Sequence, residues 1–146
     1  MKIWFDMDGT IADLYGVIDW LPMLRASDPT PYAIAKPLIN LSRLARCLNR
    51  LQAAGHEIGV ISWLSKTGTT EYNKMVTEAK QFWLNSHMPS VRWDCVHIVE
   101  YGRNKWEICQ EGILFDDEAR NRDTWGGNAY TPDEIFQILN EMIKAD

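Results

Sequence analysis

Short apolar runs and longer stretches of helical period take turns along this sequence. Ile3-Trp4-Phe5 is the first run, branched and aromatic with no helical period, and it predicts a short buried strand. Residues 38–54 carry Leu41, Leu44, Ala45, Leu48 and Leu51 at helical spacing, with Asn40 as N-cap and Gly55 as the stop. Residues 57–61 predict a second buried strand, ending at Ser62. A helix over 70–85, capped by Thr69 or Thr70, puts Tyr72, Met75, Val76, Ala79, Phe82 and Trp83 on its apolar face. A third strand falls within 91–99, a short helix over 104–110, a fourth strand over 112–115 and a short fifth at 128–130. Thr131-Pro132-Asp133-Glu134 opens the last helix as a capping box with proline at its first position. Ile135, Phe136, Ile138, Leu139 and Met142 line that helix's buried side.

Strands that alternate with helices imply a mostly parallel sheet covered on both faces. The expected class is therefore α/β, a three-layer Rossmann-like sheet in a single domain over 1–146. One segment differs in character. Residues 11–16 read as a tight turn or flap, and 17–39 are punctuated by Pro22, Pro29, Pro31 and Pro37. Ser27-Asp28-Pro29-Thr30-Pro31 is a strong turn signal, leaving room for one or two short helices around 17–25 and 32–35. We read 17–39 as a minimal cap-like insert over the end of the sheet, with a plain surface loop as the alternative. No internal repeat interrupts the pattern.

Composition narrows the setting. Apolar residues are 46% and charged residues 24% of the chain, ordinary for a globular protein. A net charge of −5 argues against an extended nucleic-acid surface, although a bound cation can reverse the field locally for a small anion. Cys47, Cys95 and Cys109 are odd in number and widely spaced, as expected of reduced, mostly buried thiols in a cytoplasmic protein. No stretch approaches the roughly 18 apolar residues of a membrane span. His56, His87 and His97 lack metal-ligand spacing. Seven tryptophans are many for this length and suit packing and pocket walls.

The chemistry gathers at strand ends. Asp6 and Asp8 follow the first strand, and residues i and i+2 of an extended chain point to one face. Two carboxylates that close repel each other unless a cation lies between them, and open α/β sheets bind ligands beyond the carboxyl ends of their strands. Gly9 allows the sharp turn that follows. A calcium loop would need glycine sixth and glutamate twelfth, whereas glycine is fourth from Asp6 and the twelfth residue is Val17. Ser62 ends the second strand, and Asp116 with Asp117 the fourth. Lys105 opens the short helix before that strand; Lys66 and Lys74 are alternatives for its role. Two or three carboxylates suit magnesium. Asp6 can attack phosphorus, Asp8 can protonate a leaving alkoxide, and Ser62 and Lys105 can hold phosphate oxygens.

These residues carry a resemblance. Trp4-Phe5-Asp6-Met7-Asp8-Gly9-Thr10, Gly59-Val60-Ile61-Ser62, Lys105 and Ile113-Leu114-Phe115-Asp116-Asp117 resemble, in order, the four motifs of the phosphatase branch of the haloacid dehalogenase superfamily. The resemblance implies Asp6 as nucleophile and Mg²⁺ ligand, and Asp8 as general acid/base that also lends the metal its backbone carbonyl. It implies Ser62 and Lys105 as phosphoryl-binding residues, and Asp117 as a direct metal ligand with Asp116 in support. Aspartate at position 8 favours phosphate transfer over dehalogenation, which has no alkoxide to protonate. The insert at 17–39 is far smaller than the cap domain of many relatives. Arg120, Asn121 and Asp123 follow the last motif and are assigned no role.

The expected function is a magnesium-dependent phosphomonoester hydrolase acting on a small phosphorylated substrate. A non-catalytic phosphate-binding or interaction module on the same fold is the alternative. A phosphoacceptor receiver domain would place its paired acids first and its lysine last, and the order here differs. Trp63 directly after Ser62, with Trp20, Tyr15 and Tyr32 in the insert, suits a nucleobase beside the phosphate. The chain is similar in motif order to small nucleotidases of the superfamily.

Overall fold

The strand Lys2–Phe5 is the middle of a five-stranded parallel sheet. In the computed structural model, which describes residues 1–146, the elements follow in chain order. They are β1 (Lys2–Phe5), β2 (Ala12–Asp13), α1 (Trp20–Arg25), α2 (Thr30–Ile34), β3 (Lys36–Pro37), α3 (Leu41–Ala53), β4 (Glu57–Trp63) and α4 (Thr70–His87). Then come β5 (Cys95–Val99), α5 (Lys105–Cys109), β6 (Ile113–Phe115), α6 (Ala119–Thr124), β7 (Ala129–Tyr130) and α7 (Ile135–Ala145). The strand order is β5-β4-β1-β6-β7 with every neighbour parallel, while β2 and β3 form a separate two-residue antiparallel ribbon. The fold is α/β and Rossmann-like, with helices flanking the sheet.

Period-two alternation assigns each strand residue to a face. Ile3, Phe5, Ile58, Val60, Ile113 and Phe115 enter the larger core, together with Leu44, Leu48 and Leu51 of α3, Trp83 of α4, and Ile135 and Leu139 of α7. Trp4, Ile61 and Leu114 face the other way and pack with Trp125, flanked by Trp106 of α5. A Cβ on Gly59 would overlap the Trp4 ring, so this strand position takes no side chain. Register sets the site. Phe5 is level with Val60 and with Phe115, so the next residues, Asp6 and Asp116, emerge side by side. Ser62 emerges one step further along β4.

The capping residues behave as read. Asn40 accepts from Arg43 N (3.0 Å) and Thr69 from Tyr72 N (3.1 Å), while Thr131 and Glu134 form the capping box; Asn104, not read as a cap, accepts from Trp106 N (2.9 Å). Other details differ. The apolar stripe of α4 runs through Tyr72, Val76, Ala79, Trp83 and Leu84, and it includes Lys80. Met75 (40% exposed) and Phe82 (60%) sit about 100° off that line, on solvent. Helix α6 has no apolar stripe to announce it. Of the thiols, Cys47 is buried and Cys95 and Cys109 are only half-buried.

Residues 17–39 fold against α4. Leu14 and Tyr32 share a small core with Tyr72, Val76 and Ala79, against which Trp20 and Leu24 pack. Tyr72 Oη donates to Asp28 O (3.0 Å), and the buried Trp83 Nε1 donates to Ala35 O (2.7 Å). Trp83→Phe keeps a large ring but orphans that carbonyl, which costs about 1–3 kcal/mol. The expected result is a melting temperature lower by about 2–4 °C per kcal/mol. Unchanged denaturant and thermal midpoints would show the bond to be without weight.

Candidate active site

The loop after β1 turns back on itself at once. Gly9 has φ +81°, and a Cβ there would overlap the Asp117 carboxylate. Only glycine admits both that backbone and that approach. Thr10 Oγ1 donates to Asp6 Oδ2 (3.0 Å) and accepts from Asp117 N (3.1 Å), tying the first loop to the end of β6. Asp6 N donates to Phe115 O (2.9 Å), which fixes its position against the same strand.

Two buried lysines divide the carboxylates between them. Lys105, at the start of α5, donates to Asp6 Oδ1 (3.0 Å) and Asp116 Oδ2 (2.7 Å). Lys80, in the middle of α4, donates to Asp8 Oδ2 (2.8 Å), Ser62 Oγ (2.7 Å) and Trp63 O (2.7 Å). Each lysine side chain is 1% exposed. Asp116 is held further by Asn121 Nδ2 (3.0 Å), by Glu118 N (2.9 Å) and, at its carbonyl, by Arg122 Nη1 (3.0 Å).

Burial and crowding mark the titrating groups. Burial, then the Asp6 carboxylate, push Asp116 up to about 6 and Asp117 up to about 8. Asp117 as a residue stands exposed at the mouth, so we give more weight to the repulsion from Asp6 and Asp116 than to its burial. Burial pulls the Lys105 ammonium down, but Asp6 and Asp116 outweigh it and the net direction is up. Burial raises Asp8 against the opposing pull of Lys80. Burial and the Asp8 carboxylate push the Tyr15 and Tyr32 phenols up, keeping both as neutral donors.

The donor set fits a hard divalent cation. Asp6, Asp116 and Asp117 offer carboxylate oxygens that all lie within 4.8 Å of one another, and an all-oxygen set of this kind suits magnesium. Four carboxyl groups stand against two ammonium groups, an excess of acid that a bound cation would offset. The side chain of Asp8 is committed to Lys80, so any role at the cation falls to its backbone carbonyl.

These residues open on a pocket of about 290 Å³. Asp6, Asp8 and Asp117 line it together with the aromatic residues Tyr15, Trp20, Tyr32, Trp63 and Tyr101. Trp63 is fixed by its Nε1 donating to Arg103 O (2.9 Å) and lies against Tyr101 with centroids 5.0 Å apart. The Arg120 guanidinium sits 4.8 Å over the Trp63 ring.

The fold thus brings Asp6, Asp8, Ser62, Trp63, Lys105, Asp116 and Asp117 to one edge of the sheet. Lys66 lines the pocket with its ammonium 5.9 Å over the Tyr101 ring, and neither it nor Lys74 pairs with the carboxylates. Sequence reasoning missed Lys80, Thr10 as a bridge, and Arg122, and it assigned nothing to Asn121. Lys80 did leave a signal. It is a lysine within the apolar stripe of a helix, beside Ala79 and Trp83.

No family model and no curated protein matches the sequence. Two solved structures are similar in fold. One, titled as the structure of a Pnkp1/Rnl/Hen1 complex, aligns over 89% of this chain and 44% of its own, at 16% identity and a TM-score of 0.57. The other is a D,D-heptose 1,7-bisphosphate phosphatase from Burkholderia thailandensis, aligned over 97% of both chains at 11% identity and a TM-score of 0.54. The chain spans under half of the first and nearly all of the second. At these identities the likeness is one of fold. The chain shares its α/β fold with these two structures. No helix is long and apolar enough to cross a membrane.

Proposed function

We propose that the chain is a magnesium-dependent phosphomonoester hydrolase that works through an aspartyl-phosphate on Asp6. One observation carries this reading: Asp6 and Asp8 line a single pocket, each paired with its own buried lysine. Asp6, Asp116, Asp117 and the Asp8 carbonyl would hold the cation, which supplies charge neutralisation for the phosphate oxygens.

Lys105 holds Asp6 Oδ1, and Thr10 holds Oδ2, so the carboxylate is oriented before substrate arrives. Asp6 attacks phosphorus as the ester oxygen leaves with a proton from Asp8. Water then attacks the aspartyl-phosphate, Asp8 takes the water's proton, and phosphate departs with Asp6 restored. Ser62 and Lys105 contact the phosphoryl oxygens. A binding module would have no need of an oriented nucleophile beside an acid/base, which is why the non-catalytic alternative is the weaker one.

For the substrate, we infer a phosphate that carries a flat ring, a nucleoside monophosphate in the first place. Tyr15, Trp20, Tyr32, Trp63 and Tyr101 line the pocket, and its volume is near the lower end of the about 300–1,000 Å³ usual for small-molecule sites. Stacking on such rings contributes about 1–3 kcal/mol per base. A screen of phosphomonoesters with and without magnesium tests the hydrolase reading, and the absence of phosphate release from every ester would overturn it. Trp63→Ala should lower kcat/KM for nucleotides by about tenfold or more, mostly through KM, and leave sugar phosphates nearly unchanged. The structurally similar heptose bisphosphate phosphatase makes sugar phosphates the right comparison. Equal kcat/KM for both classes, unmoved by the substitution, would remove the nucleotide preference.

A further inference from the structure

Lys80 belongs to none of the four motifs, yet it is 0% exposed. A buried ammonium is costly unless its hydrogens are bonded, and an apolar residue would continue the stripe of α4 without that cost. All three of its N–H groups are used, on Asp8 Oδ2 (2.8 Å), Ser62 Oγ (2.7 Å) and Trp63 O (2.7 Å). The Tyr32 ring covers it from the insert at 5.0 Å. Lys80 therefore brackets the loop after β1 to the end of β4.

The bracket determines which atoms remain free. With Oδ2 held, Oδ1 of Asp8 is the carboxyl oxygen without a protein partner, and Asp8 lines the pocket. Ser62 Oγ accepts from Lys80, which turns its own hydrogen outward as a donor. We propose that Lys80 is a positioning residue for leaving-group protonation, aiming Asp8 Oδ1 at the ester oxygen and the Ser62 hydroxyl at the phosphate. The proposal rests on the hydrolase reading above. As the bond from phosphorus to the ester oxygen breaks and the bond to Asp6 forms, the proton on Asp8 Oδ1 passes to the ester oxygen. The Asp8 carboxylate that remains faces the Lys80 ammonium. Hydrolysis of the aspartyl-phosphate returns a proton from water to the same oxygen.

The test compares leaving groups. An alkyl phosphate needs its alkoxide protonated, whereas p-nitrophenolate leaves from p-nitrophenyl phosphate without help. Lys80→Met should cut kcat for alkyl phosphates by about a hundredfold or more, the usual range for general acid catalysis, and kcat for p-nitrophenyl phosphate by less than about tenfold. Any loss through Ser62 falls on both esters alike, so the ratio isolates the part that acts through Asp8. Adding Lys80→Met to Asp8→Asn should cost alkyl esters no more than the loss of less than about tenfold that the single variant shows on p-nitrophenyl phosphate. Should Lys80→Met fail to fold in thermal melts, Lys80→Leu, which likewise has no N–H donor and continues the apolar stripe, gives the same ratio. An equal loss on both esters in a folded variant, no loss on either, or losses that multiply in the double variant would overturn the proposal. Wild-type protein that hydrolyses neither ester would instead overturn the hydrolase reading on which it stands.

Discussion

Asp6→Asn is expected to lose essentially all turnover while keeping its fold. Asparagine retains an oxygen that accepts from Lys105, and Thr10 can turn its hydroxyl to either group, so the bonds that orient position 6 survive. What disappears is the nucleophilic carboxylate. Removing the covalent nucleophile of a serine protease costs about six powers of ten in kcat. The substitution also removes one of three crowded negative charges, so the variant should melt no lower than wild type. A variant keeping more than about a tenth of wild-type kcat has lost under about 1.4 kcal/mol of transition-state stabilisation. That result would exclude an aspartyl-phosphate on Asp6.

The second large effect is expected from the cation. Chelation should abolish hydrolysis and magnesium restore it, with calcium a poor substitute because its looser, larger coordination misplaces the attacking oxygen. Full activity in excess chelator would exclude the metal role. Stability offers an independent reading with a definite sign. Asp116 and Asp117 are raised to about 6 and about 8, above the roughly 3.9 of an unfolded aspartate. Between about pH 4 and pH 8 the metal-free folded chain therefore binds more protons than the unfolded one, and stability falls as pH rises through that window. A bound cation needs these carboxylates ionised, so its effect should be small at pH 5 and large at pH 8. At a hundredfold excess over Kd it adds about 2.7 kcal/mol, or about 5–11 °C in Tm. A melting temperature flat across this range without metal, and unmoved by magnesium at pH 8, would contradict the proposed site.

Much of the site was legible because its chemistry sits in unbroken local words. Ile3 to Thr10 and Ile113 to Asp117 each join a strand to its acids, and strand ends in a parallel sheet converge by register alone. Caps were legible for the same reason, since Asn40, Thr69 and Thr131 bond within three residues of themselves. Met75 and Phe82 were misjudged because apolar residues two rows wide on a helix do not say which row faces inward. Helix α6 was missed because it has a polar sequence and is secured at Asp116 by Asn121 and Arg122.

The sequence by itself determined the α/β class and the carboxylates at the strand ends, because period and motif act over a few residues. Tertiary structure alone decided how the charges pair. Lys80 lies 72 residues from Asp8 and 18 from Ser62 in the chain, and Lys105 lies 99 from Asp6. Order and helical start pointed to Lys105, but nothing local marks Lys80 as more than one more helix lysine. Only packing α4 across β4, with Tyr32 of the insert above, buries its ammonium where Asp8, Ser62 and Trp63 O are the acceptors within reach. An unpaired charge cannot stay buried, and it is that long-range constraint, invisible to any window of the chain, that couples the insert, the helix and the two strand ends into one site.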